Sequence, residues 1–301
     1  MKIFQVIFIV LLFQDTSAES ASPGEVTVYS ARKEHLIKPV FAKFEKITGI
    51  KVNYLTGKSP ALLERIKAEG KNTKADIFMT VDAGNLWAAS EADLFQQYIS
   101  RVLKKNIPSY LKDPKDRWFS FSVRARTIVY NSKKIKPSEL STYENLGEKT
   151  WKKRLCLRSS KKVYNQSLVA MLIEQLGEKK TEQVVKSWVE NLATSVFSND
   201  TRLMEAIIAG QCDIGIVNSY YFGRLQKAGK EKDLKLFWPN QETMGVHINV
   251  SGAGLLKHAK NRKNAQKLLD WLSSPEAQKM FADLNLECSL SPILTHPFAK
   301  F

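Results

Sequence analysis

The chain contains 301 residues, of which 44% are hydrophobic and 25% are charged, with 14 glycines and 10 prolines. This composition excludes a disordered or fibrous protein, and the length allows two ordinary domains, each with a buried core. Lysine and arginine total 46 against 30 acidic residues, and the resulting net charge of +16 indicates acidic or anionic partners.

The first eighteen residues are typical of a secretory signal peptide, predicted at 1–18. Lys2 is followed by an apolar run over 3–13, and small residues end at Ala18. This run is too short to span a bilayer, so we expect an exported, soluble protein of the periplasm. Export argues against nucleic acid as a partner, and no nucleic-acid-binding motif is present. Two interpretations of the basic residues then stay open: they form a solvated basic surface, or some of them line a cleft that binds an anionic ligand.

Beyond this segment, hydrophobic periodicity predicts alternating strands and helices. Gly49 is expected to end the first helix, and Ser59 with Pro60 to begin the second, with Ser59 as the N-cap. The order βαβαβα favours a mostly parallel sheet covered by helices. The predicted strands are 25–30, 50–54 and 76–81, and the predicted helices are 36–48, 59–69 and 86–92.

A second series of strands and helices follows a long alternating stretch over 118–130, which exceeds the usual strand length. Its predicted strands are 154–158, 212–218 and 246–251, and its predicted helices are 166–176, 182–192, 201–209, 264–273 and 275–283. Two such units predict either two independent domains or two lobes between which the chain crosses, outward along 119–129 and back along 247–254. Crossing strands would leave a cleft that closes by hinge motion, a preferred place for a ligand. Gly252 and Gly254 lack the third glycine of a dinucleotide-binding motif and are interpreted as a strand-to-helix turn.

The tyrosines carry the chemical signal, since no motif of a hydrolase, a zinc protease, a calcium loop or a phosphate loop is present. Tyr220 and Tyr221 come directly after one predicted strand, and Tyr164 comes shortly after another, where an α/β sheet presents its ligand-facing loops. Neighbouring tyrosine side chains ordinarily pack against each other as aromatic rings and have no further function. A hard trivalent cation changes this interpretation, because three phenolate oxygens suit Fe(III) and neutralise its charge.

The sequence resembles the periplasmic ferric-iron-binding proteins, which are the substrate-binding subunits of ATP-driven iron(III) ABC importers. The resemblance covers nearly all of the chain after the signal peptide, and the block around Tyr164 together with Tyr220 and Tyr221 is its most specific part. The residues that carry it are the segments 29–32, 48–52, 75–82, 124–131, 164–170, 218–221, 239–241, 247–252 and 274–278.

This resemblance implies an α/β, two-lobed type II periplasmic-binding-protein fold with two hinge-crossing strands and a cleft between the lobes. The first lobe would comprise 19–122 and 252–301, and the second 123–251. The resemblance implies that Tyr164, Tyr220 and Tyr221 coordinate iron. Many family members add a histidine and a second ligand after the first strand, where this chain has Lys33 and Glu34. Glu34 or His35 is therefore left open as a further metal ligand.

Some members of the family complete the iron shell with a small anion such as carbonate. Arg32 and Arg124 fall where those proteins keep cationic side chains near the cleft, and Arg224 is a further candidate near the metal or the anion. Ordinary surface salt bridges are the alternative for these arginines. Cys156 and Cys212 begin predicted neighbouring strands, and in an oxidising periplasm we expect them to form a disulfide, which leaves Cys288 as a buried free thiol.

The predicted function is that of a periplasmic Fe(III)-binding protein, a monomer, which delivers iron to an inner-membrane ABC permease and its ATPase. A carrier for an anion or an organic iron chelate is the alternative within binding proteins. An exported α/β enzyme is the alternative from another class, and the absence of a catalytic constellation argues against it.

Overall fold

The computed structural model describes residues 24–286. The predicted signal peptide and Cys288 lie outside these residues. Between residues 24 and 286, no helix has the length and apolar character needed to cross a membrane.

The described part of the chain alternates between strands and helices from its first element onward. Its strands are β1 (Glu25–Ser30), β2 (Lys51–Thr56), β3 (Ile77–Thr80), β4 (Phe119–Asn131), β5 (Leu155–Cys156), β6 (Ile214–Asn218), β7 (Leu234–Phe237) and β8 (Ile248–Leu255). Its α-helices are α1 (Glu34–Thr48), α2 (Ser59–Glu69), α3 (Ala83–Glu91), α4 (Arg101–Asn106), α5 (Val163–Leu176), α6 (Glu178–Glu190), α7 (Asp200–Ile208), α8 (Ser219–Lys227), α9 (Arg262–Leu272) and α10 (Pro275–Asn285).

The eight strands form one continuous sheet in the order β2-β1-β3-β8-β4-β6-β5, with β7 paired to β4. The parallel pairing predicted for the first three strands is confirmed, and β5 and β6 are also parallel. The expectation of a mostly parallel sheet is wrong for its centre, because β8 runs antiparallel to β3 and β4, and β4 runs antiparallel to β6 and β7. Antiparallel pairing follows from a chain that crosses on β4 and returns on β8.

The strands β4 and β8, called the crossing strands below, pair closely along their length. Gly252 and Gly254 lie inside β8, so their interpretation as a strand-to-helix turn was wrong. A Cβ atom at Gly252 would lie 2.4 Å from the carbonyl oxygen of Phe119, and one at Gly254 would lie 2.6 Å from that of Arg117. Glycine is required here because the neighbouring backbone leaves no room for a side chain.

The buried apolar residues fall into separate clusters on the two sides of the crossing strands. One cluster draws on 26–123 and on 250–281, and two further clusters draw on 128–216 and on 129–234. The change from one cluster to the next occurs within β4 and again at β8. It falls close to the lobe boundaries expected after residues 122 and 251, and those boundaries stay a prediction.

Local signals in the sequence marked several element ends correctly. Gly49 ends α1 with a φ of 70°, a left-handed conformation that glycine adopts without strain. The prediction that Ser59 caps α2 was wrong: Lys58 is the N-cap, and the buried Ser59 hydroxyl forms a 2.6 Å hydrogen bond with the Thr80 hydroxyl on β3. Three short elements were missed, α4, α8 and β7, of six, nine and four residues. The segment that forms α8 contains Gly223 and consecutive aromatic residues, which have low helix propensity.

Candidate functional site

The three tyrosines singled out in the sequence lie at one edge of the second part of the sheet. Because β5 and β6 are parallel neighbours, the segments that follow them emerge at the same edge. Tyr164 lies in the first turn of α5, and Tyr220 and Tyr221 lie in the first turn of α8. The N-terminus of a helix carries a partial positive charge, which favours an anionic group such as a phenolate.

All three tyrosines line one cavity of about 160 Å³. The rings of Tyr220 and Tyr221 lie against each other at an angle of 32°, with their centroids 4.4 Å apart. The opposite wall comes from the segment after β1 and from the end of β3, so both sides of the crossing strands contribute. The lining residues are Ala31, Arg32, Lys33, Leu36, Val81, Arg124, Tyr164, Tyr220, Tyr221 and Arg224.

Three arginines predicted near the site surround these phenols. The guanidinium of Arg124 lies 5.1 Å from the ring centre of Tyr164, and that of Arg224 lies 4.9 Å from Tyr220 and 5.5 Å from Tyr221. Arg32 and Arg124 are buried, and Arg32 donates a hydrogen bond to the Ser122 hydroxyl at 3.3 Å. Buried cations at hydrogen-bonded positions are not ordinary surface salt bridges, which was the alternative for these two residues.

The electrostatics of the cavity keep the most buried phenol protonated. Burial raises the pKa of Tyr220 well above its usual value of 10, and repulsion from the phenols of Tyr164 and Tyr221 raises this pKa further. The positive charge of Arg124 acts in the opposite direction. The Tyr220 phenol would lose its proton once a trivalent cation binds beside it, since metal coordination favours the deprotonated ligand.

The structure brings neither Glu34 nor His35 into the cavity lining. Both side chains are exposed at the start of α1, and a Glu34 carboxylate oxygen accepts a hydrogen bond from the Tyr54 hydroxyl at 3.1 Å. Lys33, which precedes them, lines the cavity instead. Ligation by Glu34 or His35 stays a prediction that would require α1 to begin differently.

One cation beside the tyrosines was missed by the sequence reasoning. The buried guanidinium of Arg158 lies 5.3 Å from the ring centre of Tyr164 and contacts Asp200 at 3.2 Å. Arg158 could have been selected from the sequence, because it comes just after an apolar strand and six residues before Tyr164. Within residues 24–286 no three His, Cys, Asp or Glu side chains gather into a metal-binding group.

The predicted disulfide between Cys156 and Cys212 is present, with a Cα–Cα distance of 6.0 Å. It joins the end of β5 to the segment that enters β6, and both cysteines are buried. The bridge therefore ties together the two strands that lead to the tyrosines.

Comparison with known proteins identifies the family. The model of the bacterial extracellular solute-binding proteins matches residues 30–279. The chain belongs to this family. Iron uptake protein A1 of Synechocystis sp. is 46% identical over 276 residues, which cover 88% of this chain and 76% of that protein. The Fe(3+)-binding periplasmic protein of Serratia marcescens is 29% identical over 271 residues, which cover 89% of this chain and 79% of that protein.

Solved structures resemble this solute-binding protein over most of its length. The Trichodesmium protein IdiA (FutA), in complex with iron and citrate ligands, superposes with a TM-score of 0.85 at 44% identity, covering 92% of this chain and 89% of that one. The ferric iron-binding protein A of Mannheimia haemolytica, in an open conformation, superposes with a TM-score of 0.82 at 36% identity. The match covers 89% of this chain and 86% of that one. These matches confirm the predicted two-lobed α/β fold and the resemblance to ferric-iron-binding proteins.

Proposed function

We propose that this solute-binding protein captures ferric iron in the tyrosine-lined cavity and releases it to an inner-membrane ABC permease with its ATPase. Tyr164, Tyr220 and Tyr221 are its ligands in this proposal. The observation that carries the proposal is the convergence of three phenols on one cavity beside buried arginines. The names of its relatives, an iron uptake protein and an Fe(3+)-binding periplasmic protein, support the same cargo.

The charges of the cavity residues favour the binding of Fe(III), and they also favour the binding of an anion beside it. Three phenolates cancel the three positive charges of Fe(III), so the iron and its ligands add no net charge to a cavity with basic walls. The basic side chains in the cavity lining are those of Arg32, Lys33, Arg124 and Arg224. Asp82 offsets part of this charge, since its carboxylate lies 3.6 Å from the guanidinium of Arg124. We infer that an anion joins the iron, held by Arg32 and Arg124 through charge-assisted hydrogen bonds.

Carbonate is the anion we expect, because it is small, planar and able to bind one arginine and the metal together. An iron chelate is the second candidate for the cargo, and it has a specific observation in its favour: the Trichodesmium relative holds iron together with citrate. The two candidates differ in what must be added with the iron. Carbonate-supported binding needs ferric iron and bicarbonate, whereas chelate capture needs the organic acid.

This function also requires export and two lobes that close on the cargo. We propose that residues 1–18 are a cleaved signal peptide, that the protein works in the periplasm, and that it binds iron as a monomer. The proposed first lobe comprises 19–122 with 252–301, and the second lobe comprises 123–251. Because all three tyrosines lie in the second lobe, iron would bind there first, and the first lobe would then close over it.

The test is a titration of metal-free protein with ferric iron in carbonate-free buffer, followed by bicarbonate in one sample and citrate in another. Coordination by phenolate produces a visible charge-transfer band, so we expect an orange to red complex that intensifies with bicarbonate. A band that forms only with citrate would favour the chelate. A protein that stays colourless with ferric iron in both samples, with an unchanged melting temperature, would refute iron binding by tyrosine.

A further inference from the structure

A buried ionic cluster lies next to the tyrosine-bearing segments, and its members are not among the residues that line the cavity. It consists of Asp200 in the first turn of α7 and of two arginines, Arg126 on β4 and Arg158 after β5. The exposed fractions of the three residues are 0%, 1% and 8%. The Asp200 carboxylate accepts hydrogen bonds from Arg126 at 3.1 Å and from Arg158 at 3.2 Å. One carboxylate therefore serves two guanidinium groups.

The cluster reaches the helix that carries Tyr220 and Tyr221 through Asn218, the last residue of β6. The backbone N–H of Asn218 donates to the Asp200 carboxylate at 2.9 Å. The Asn218 side-chain oxygen accepts a hydrogen bond from Arg126 at 3.3 Å, and its amide nitrogen lies 3.5 Å from the Tyr220 hydroxyl. Asp200 and Arg126 thus hold the turn from which α8 begins.

The same cluster reaches Tyr164 by a second route, through the adjacent residue Asn165. Arg126 donates to the Asn165 side-chain oxygen from Nε at 2.9 Å and from Nη2 at 2.5 Å. The amide of Asn165 donates to the carbonyl oxygen of Arg158 at 2.6 Å. The guanidinium of Arg158, held by Asp200, lies against the Tyr164 ring. Both segments that carry tyrosines are therefore joined to one carboxylate.

We propose that Asp200 is a positioning residue, which sets the spacing of the tyrosine oxygens before the metal arrives. This inference rests on the proposed function. Buried ion pairs often contribute little to folding stability when compared with apolar residues of the same size, because removing charges from water is costly. A rigid binding site needs fixed orientations, and the geometry here supplies them: Asp200 binds through Arg126 and Arg158 to both tyrosine-bearing segments at once.

The test compares Asp200→Asn with Asp213→Asn in the protein loaded with ferric iron and bicarbonate. Asp213 is a matched control, because it too binds two cations, Lys134 at 2.7 Å and Arg154 at 2.8 Å, but it lies at the opposite end of β6 from the tyrosines. For each variant the wavelength of the phenolate-to-iron band, the affinity in competition with nitrilotriacetate, and the melting temperature are measured. We expect Asp200→Asn to move the band and weaken iron binding at least tenfold. Asp213→Asn should lower the melting temperature while keeping the band and the affinity.

Asn165→Ala is the second variant, and it covers the case in which Asp200→Asn fails to fold. It removes only the link to Tyr164, so we expect a band shift with a smaller loss of affinity than in Asp200→Asn. The positioning role is overturned if the folded variants keep the wild-type band and bind iron within twofold of the wild type, as Asp213→Asn should. If the wild-type protein itself shows no band with ferric iron, the proposed function fails and the positioning role fails with it.

Discussion

The Asp82 carboxylate accepts a hydrogen bond from the Ser167 hydroxyl at 3.0 Å, which connects the N-cap of α3 to the helix that carries Tyr164. The same carboxylate accepts a hydrogen bond from Asn249 at 2.8 Å and lies 3.6 Å from Arg124. Arg124 and Asn249 are opposite each other on the two crossing strands. Asp82 therefore contacts both crossing strands and also α5, one turn away from Tyr164.

Ser167→Ala should weaken closure of the two lobes, because it removes this contact and leaves the rest of the Asp82 environment unchanged. We expect a larger radius of gyration by small-angle X-ray scattering in the metal-free protein and several-fold faster release of ferric iron. Ser187→Ala is the control, since the half-buried Ser187 donates its hydroxyl to the Gln183 carbonyl within α6, away from Asp82. Equal radii and equal release rates in the two variants would show that the Asp82–Ser167 contact does not hold the lobes together.

Tyr164→Phe, Tyr220→Phe and Tyr221→Phe should each weaken ferric binding by at least tenfold and reduce the visible band. Each change removes one oxygen and keeps the ring, so little packing is lost while one ligand disappears. Tyr110→Phe is the control, because that side chain is 77% exposed and lies outside the cavity. Affinity and spectrum are measured by iron titration with a competing chelator, and wild-type values in all three variants would contradict the ligand assignment.

Reduction of the Cys156–Cys212 disulfide should lower the free energy of unfolding without removing the iron site. The two cysteines are 56 residues apart, and a loop of this size corresponds to roughly 4 kcal/mol in the chain-entropy model. Denaturant unfolding of the Cys156→Ala/Cys212→Ala variant against the wild type measures this loss. Thiol titration of the unreduced, unfolded full chain should find one free thiol, from Cys288, whereas three free thiols would refute the bridge.

The unfolding free energy should fall as the pH drops from about 6.5 to about 3, and His247 should account for part of this fall. Burial lowers the pKa of His247 from 6.5 to about 3, and the positive charges of Arg126 and Arg124 lower it further. In this window the unfolded chain binds a proton at this histidine and the folded chain does not, so acid favours unfolding. The contribution of this one group has a slope of up to about 1.4 kcal/mol per pH unit.

His247→Gln should remove that slope and leave a flatter stability profile between pH 6.5 and 3. His258→Gln is the matched control at an exposed histidine and should keep the profile of the wild type. Denaturant titrations at half-unit pH steps measure both profiles. If His247→Gln has the same pH dependence as the wild type, then protonation of His247 does not contribute to acid unfolding.

The sequence by itself determined most local features, because these depend on neighbours along the chain. A short run of strand-forming residues placed β1 at its observed bounds, and Pro60 with Gly70 marked the start and the end of α2. The tyrosine segments were found because they directly follow apolar strands, and parallel strands present such segments at one edge. The disulfide was predicted for a related reason, since two cysteines on neighbouring strands of an exported protein lie close enough to pair.

Only the tertiary structure decided the relationships that depend on contacts between distant residues. Nothing in the local pattern shows that Asp200 binds Arg126, which is 74 positions away, or that Arg126 also binds Asn165. The cavity received Lys33 and not Glu34, because the start of α1 sets which side chains face inward. Hydrophobic periodicity predicts whether a residue is buried. It does not predict the partner of a buried charge, because that partner depends on how strands and helices far apart in the chain pack together.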